Sequence, residues 1–121
     1  MRFQRPHTTK IIPIYTYIRD IKTKSNDPTD LWIKGKGDVT IQVSRDWNNR
    51  PALHCRIVVD GNEVLPFSHT DNFKVVIMTE NLVVYELCDI KFNESIKIEF
   101  YRNYAAKQNN DYVKIIAMLE E

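Results

Sequence analysis

The 121-residue sequence predicts an all-β domain: an antiparallel β-sandwich, immunoglobulin-like or jelly-roll-like, of about seven to nine strands with an extended N-terminal arm. Three observations predict it. Apolar residues recur with period two in four separate runs. Turn-forming residues separate those runs at short intervals. No segment carries the 3.6-residue apolar stripe of an amphipathic helix.

The four runs are explicit. Val39, Ile41 and Val43 alternate with Thr40, Gln42 and Ser44, and Leu53, Cys55, Ile57 and Val59 with His54, Arg56 and Val58. Phe73, Val75 and Ile77 alternate with Lys74, Val76 and Met78, and Ile96, Ile98 and Phe100 with Lys97, Glu99 and Tyr101. Alternation of this kind turns one set of side chains into a core and the other toward solvent. Asp60-Gly61-Asn62 reads as a tight hairpin turn in which Gly61 supplies a positive φ. Asp46–Pro51 is a loop, and Thr70–Asn72, Thr79–Asn81 and Phe92–Ser95 are turns rich in Asn and Asp. Lys34-Gly35-Lys36-Gly37-Asp38 is a hairpin turn or bulge rather than a phosphate cradle, since it lacks the spacing and the strand-to-helix setting. Strands are expected to start near residues 31, 38, 53, 63, 73, 82, 95 and 112. Arg102–Asn110 has no apolar stripe and reads as a loop with one helical turn. Tyr112–Leu119 carries Val113, Ile115 and Ile116, and this β-branched content favours a strand.

The leading segment differs from the rest. Residues 1–24 hold six basic residues against Asp20 and carry net +5, whereas residues 25–121 carry net −4, so the chain is close to neutral at +1. Ile11–Ile18 is apolar and β-prone, but Pro13 lacks an amide donor, which suits an edge strand or an extended arm. The chain therefore divides into a basic arm or edge strand over 1–24 and a sandwich over 25–121. Strand addition along a neighbour's open sheet edge would use Arg2, Phe3, Arg5, Lys10, Ile12, Ile14, Tyr15, Tyr17 and Arg19 as anchors. The partners implied are protein subunits of a larger assembly, a homo-oligomer among them.

Composition bounds the remaining classes. No run of about 20 apolar residues offers a membrane span. Met1–His7 is charged and is not followed by an apolar h-region, so the chain is expected to stay soluble in the cytoplasm or to leave it as part of something larger. Cys55 and Cys88 are expected as free buried thiols. His54 and Cys55, adjacent on a strand, point to opposite faces and cannot pair as base and nucleophile. His7, His54 and His69 stand far apart without metal-ligand spacing, so neither a metal nor a cofactor is expected. Asp27, Asp30, Asp46 and Asp71 fall in expected loops, where a calcium site would be built if one existed. Glu63, Glu86 and Glu99 read as solvent-side strand positions. A dedicated nucleic-acid binder is usually more basic than a chain of pI 7.8. No catalytic residue is expected. Trp47, in a loop between Asp46 and Asn48, is the alternative anchor, a sugar platform in a carbohydrate-binding module. Trp32, between Leu31 and Ile33, is expected in the core.

Two stretches carry a resemblance. Leu31–Asp46 (LWIKGKGDVTIQVSRD) and Lys97–Tyr104 (KIEFYRNY) resemble the small β-sandwich modules of tailed bacteriophage virions. The resemblance implies a structural virion protein, either a capsid accessory or decoration protein or a tail or adaptor domain, with a terminal arm that clamps neighbours and the virion as its location. It implies no functional residues. A true immunoglobulin signature is absent: no Trp lies between Cys55 and Cys88, and Tyr85 stands three residues before Cys88.

Overall fold

The computed structural model describes residues 10–46, 53–102 and 112–121. In chain order the strands are β1 (Ile11–Ile18), β2 (Thr29–Lys34), β3 (Lys36–Asp46), β4 (Leu53–Val59), β5 (Asn62–His69), β6 (Lys74–Met78), β7 (Leu82–Phe92), β8 (Ser95–Arg102) and β9 (Tyr112–Glu120). A single 3-10 turn, Thr70–Asn72, joins β5 to β6. Each expected strand start lies within two residues of an observed one. Tyr112–Glu120 is a strand, as its β-branched residues predict.

A five-stranded sheet has the order β1-β9-β3-β7-β6, and a four-stranded sheet the order β2-β8-β4-β5. Every pairing is antiparallel. With β6 set aside, the chain pairs from the outside inward: β1 with β9, β2 with β8, β3 with β7 and β4 with β5. Such nesting is one antiparallel ribbon wrapped on itself, closed by the β3–β9 and β4–β8 pairings. Of the two sandwich types expected, the strands adopt the jelly roll. β6 is an additional strand hung on the outer side of β7.

Local chemistry places the corners. Gly35 alone connects β2 of one sheet to β3 of the other, at φ +128°, a conformation that only glycine adopts freely. A Cβ at Gly37 would collide with the main-chain carbonyl of Met118, so glycine also sets the approach of β3 to β9. Asp60 and Gly61 have φ of 52° and 83°, the paired positive values of a type I′ hairpin turn. In β7, Cys88 and Asp89 stand opposite the single Thr40 of β3, forming a bulge in which Asp89 takes φ 60°.

The core is the inward set of the alternating runs. Val39, Ile41, Val43, Val113, Ile115 and Ala117 of the five-stranded sheet meet Cys55, Ile57, Ile96, Ile98 and Phe100 of the four-stranded sheet. Each large aliphatic or aromatic side chain so buried contributes about 1.5–3 kcal/mol.

Five expectations need correction. Trp32 is not in the core: Leu31 and Ile33 point inward, so their neighbour on the strand points out and is 59% exposed. Val75 and Ile77 are exposed although Phe73 is buried, because β6 lies beyond the cover of the opposite sheet. Cys55 is buried but Cys88, in the bulge, is exposed. Glu99 occupies an outward strand position yet is buried beneath Arg56 and Lys97. Asp30 lies in β2 and Asp46 ends β3 rather than standing in loops. Trp47 and the remainder of its loop, and residues 103–110, lie outside the described residues.

Candidate functional site

Three surfaces offer chemistry, and the first is β1. Arg2, Phe3 and Arg5 lie outside the described residues, while the remaining anchors expected from the sequence lie on or beside this strand. It pairs along its whole length with β9 and forms one edge of the five-stranded sheet. Tyr15 and Tyr17 stand on the outer face, and Lys114 Nζ lies 5.5 Å and 5.7 Å from their ring centroids. The Arg19 guanidinium sits 5.6 Å from the Tyr112 ring, which in turn lies 5.9 Å from Tyr17. Exposed cation–π contacts are worth about 0.5–1 kcal/mol each, enough to orient these rings. Ile12 and Ile14 share the opposite face with Leu119 and Ala117, and both remain exposed. Lys10 pairs with Glu121 at 3.6 Å and its carbonyl accepts the Glu121 N–H. Sequence spacing thus located one side of this patch, but not Tyr112 and Lys114, which only the long-range β1–β9 pairing brings in.

The second surface is β6, Lys74-Val75-Val76-Ile77-Met78. All five residues are exposed, Met78 by 59%, and apolar side chains stand on both faces. β6 pairs with β7 on one side and has no strand on its other side among the described residues. The four sheet edges differ in protection. β1 carries Pro13, and β5 carries Pro66 and two shifts of register. β2 carries Asp30 and Lys34. Prolines, bulges and charges are the devices that keep a sheet edge from pairing with another chain. β6 has one shift of register against β7, no proline, and its only charge at its first position.

The third surface is the outer face of the four-stranded sheet. Trp32, Arg56, Val58, Gly61, Ser95 and Lys97 line an open cavity of about 300 Å³. Arg56 Nε lies 2.6 Å from Glu63 Oε2, and its Nη1 lies 2.9 Å from Glu99 Oε1. Lys97 Nζ reaches the same Glu99 oxygen at 3.1 Å and sits 5.8 Å from the Trp32 ring centroid. Farther along this face His54 stacks on Tyr101 at 4.7 Å, His69 lies edge-on to His54, and Phe67 is edge-on to Tyr101. Desolvation and, secondarily, the neighbouring His69 hold His54 below its ordinary pKa.

The residues weighed for catalysis and metal binding do not converge. Cys55 lies in the core, where burial pushes its thiol pKa up, away from the thiolate a nucleophile needs. Asp27 pairs with Lys22 at 3.1 Å in the β1–β2 connection, and Asp71 lies in the 3-10 turn. Among the described residues no three His, Cys, Asp or Glu side chains gather to hold a metal ion. Nor is any helix among them long and apolar enough to cross a membrane.

The fold and these surfaces define a jelly-roll sandwich in which β6 is the least protected sheet edge among the described residues. No protein-family model matches the chain, and no curated protein matches it. Among solved structures it is similar to the P-domain of Macrobrachium rosenbergii nodavirus, at 10% identity and a TM-score of 0.27, over 91% of this chain and 92% of that one. A superposition that loose identifies neither ancestry nor role.

Proposed function

We propose that this chain is a non-enzymatic structural subunit of a larger protein assembly, joined to a second copy of itself through the free edge of β6, and that the assembly is a virion. The observation that carries this reading is the state of β6: a sheet edge with no strand on its outer side among the described residues, apolar side chains on both faces and no internal charge. Such an edge templates strand pairing and is normally blunted in proteins that stay monomeric. Two antiparallel β6 strands related by a two-fold axis would complement each other, since a two-fold contact presents the same patch from both sides. The pairing would make one continuous sheet of both five-stranded sheets.

The Tyr15–Tyr17–Lys114 patch supplies a second contact for neighbouring subunits, with aromatic area and a basic rim suited to an acidic surface. The virion setting rests on fold-level analogy, because viral capsid subunits are among the proteins built as jelly rolls. Its narrower form, a decoration or tail protein of a tailed bacteriophage, rests on the resemblance of Leu31–Asp46 and Lys97–Tyr104 alone.

Sedimentation velocity tests the proposal with the intact chain and an Ile77→Lys/Met78→Lys variant. Both side chains are exposed, so the variant should match the melting temperature of the wild type at concentrations where the wild type is a monomer. The wild-type chain should form a concentration-dependent dimer or larger species, and the variant should sediment as a monomer. A wild-type chain that stays monomeric into the high micromolar range would overturn the proposal.

A further inference from the structure

We infer that the outer face of the four-stranded sheet is a binding site for a neutral saccharide, centred on Trp32 and independent of assembly through β6. The case begins with the indole. Tryptophan at a solvent-facing strand position costs solubility without adding to the core, and Trp32 is exposed while its neighbours Leu31 and Ile33 pack inward. It does not stand on open sheet. It forms one wall of the cavity of about 300 Å³, with Val58 adding apolar surface and Arg56, Ser95 and Lys97 adding polar groups. A concave site of that size, mostly apolar with a few fixed polar atoms, suits a small ligand.

The polar groups select the ligand's chemistry. Arg56 and Lys97 are the cations of the cavity, and both are matched by carboxylates, Arg56 by Glu63 and Glu99, and Lys97 by Glu99. An anionic ligand would add a further negative charge beside Glu63 and Glu99, which already match the two cations. A cation would meet Arg56 and Lys97. A neutral molecule with hydroxyl groups meets neither obstacle. Each hydroxyl both donates and accepts, so it can accept from Lys97, Arg56 or the Ser95 hydroxyl while donating to a carboxylate already fixed by its partners. The apolar C–H face of a pyranose ring complements the flat indole, as polar-edged, apolar-faced partners do at aromatic surfaces. The Lys97 ammonium lies over the indole and shares one Glu99 oxygen with Arg56, so the two donors stand together on one side of the cavity, within reach of the hydroxyl edge of such a ring.

The test is a glycan array carrying neutral and acidic oligosaccharides, probed with the intact chain, followed by titration of the best binder against the wild type and variants by isothermal calorimetry. Trp32→Ala should weaken binding by at least about tenfold, and Trp32→Tyr, which retains a ring, should recover most of it. Trp32 is exposed, so both variants should melt with the wild type. Trp47→Ala should leave binding unchanged. The inference is overturned if no neutral glycan binds, if only acidic glycans bind, or if binding survives Trp32→Ala. The β6 lysine variant should bind the glycan as the wild type does, so failure of the assembly reading and failure of this one are separable.

Discussion

The carboxylate of Asp60, in the β4–β5 turn, accepts the main-chain N–H of Glu94, in the β7–β8 turn, at 2.7 Å. The N–H groups of Asn93 and Ser95 donate to the same carboxylate, and the Asp60 N–H donates to the Ser95 carbonyl. The Gly35 N–H donates to the Glu94 carbonyl, so the two turns that cross between the sheets, β2–β3 and β7–β8, are tied to the β4–β5 hairpin turn at one end of the sandwich. These N–H donors, Ser95 and Glu94 foremost, hold the Asp60 pKa below the ordinary aspartate value. A depressed carboxylate pKa contributes stability that is present above the unfolded pKa, about 3.9, and is lost as pH falls through the folded value. Asp60→Asn keeps a residue that tolerates positive φ but removes the charge. Its melting temperature should fall below the wild type at pH 7, and the gap should narrow as pH falls below ~4. Thermal unfolding followed by circular dichroism from pH 7 to pH 3 reads both; a gap that does not narrow toward the acid end contradicts the assignment.

Gly37 should not tolerate a side chain. A Cβ there meets the main-chain carbonyl of Met118, which is locked in the β3–β9 ladder and cannot swing away. Gly37→Ala should cost about 1–3 kcal/mol, the usual range for forcing atoms into a packed site. Urea denaturation checks it, and a loss under about 0.5 kcal/mol, ordinary for a surface position, would show that β9 yields.

The two thiols should react at very different rates. Cys88 is exposed in the bulge of β7, whereas Cys55 lies in the core with its pKa raised by burial. A disulfide-exchange reagent should titrate one thiol in the native chain and both in denaturant. Cys88→Ser should abolish the fast reaction and leave the fold intact. Fast labelling of both cysteines in native buffer would contradict this packing.

His54 should make the fold weaker in mild acid. Its pKa is lowered by desolvation and then by His69, so the unfolded chain takes up the proton first as pH falls below about 6.5. Stability should therefore decline from about pH 6.5 down through the folded pKa. His54→Phe, which keeps an aromatic ring against Tyr101, should flatten that decline. An imidazole resonance of His54 that titrates above 6.5 would contradict the sign.

Much of this architecture is legible in the sequence, because period-two alternation and turn chemistry are local. The runs at Val39–Val43, Leu53–Val59 and Ile96–Phe100 gave the buried faces correctly, and Asp60-Gly61-Asn62 predicted the hairpin turn and the positive φ of Gly61. Trp32 was equally legible: Leu31 and Ile33 point inward, so the residue between them must point out, and reading three apolar neighbours as one core block hid it. The β6 edge was not legible, since alternation at Phe73–Met78 separates two faces without revealing whether an opposite sheet covers either. Nor was the convergence of Trp32, Arg56 and Lys97, which requires the long-range pairings of β2 and β4 with β8. Strand order depends on contacts between residues far apart in sequence, and no local pattern encodes it.

The central claim is that β6 carries the contact between copies, and main-chain amide exchange reads that contact directly. Exchange should be followed by mass spectrometry on peptides spanning 73–81, at dilute and concentrated protein, for the wild type and the Ile77→Lys/Met78→Lys variant. The account predicts that the β6 amides facing away from β7 exchange fast in the dilute chain and in the variant, with added protection of β6 appearing only in the concentrated wild type. β6 protection that is the same at both concentrations, or self-association with no change at β6, would contradict it.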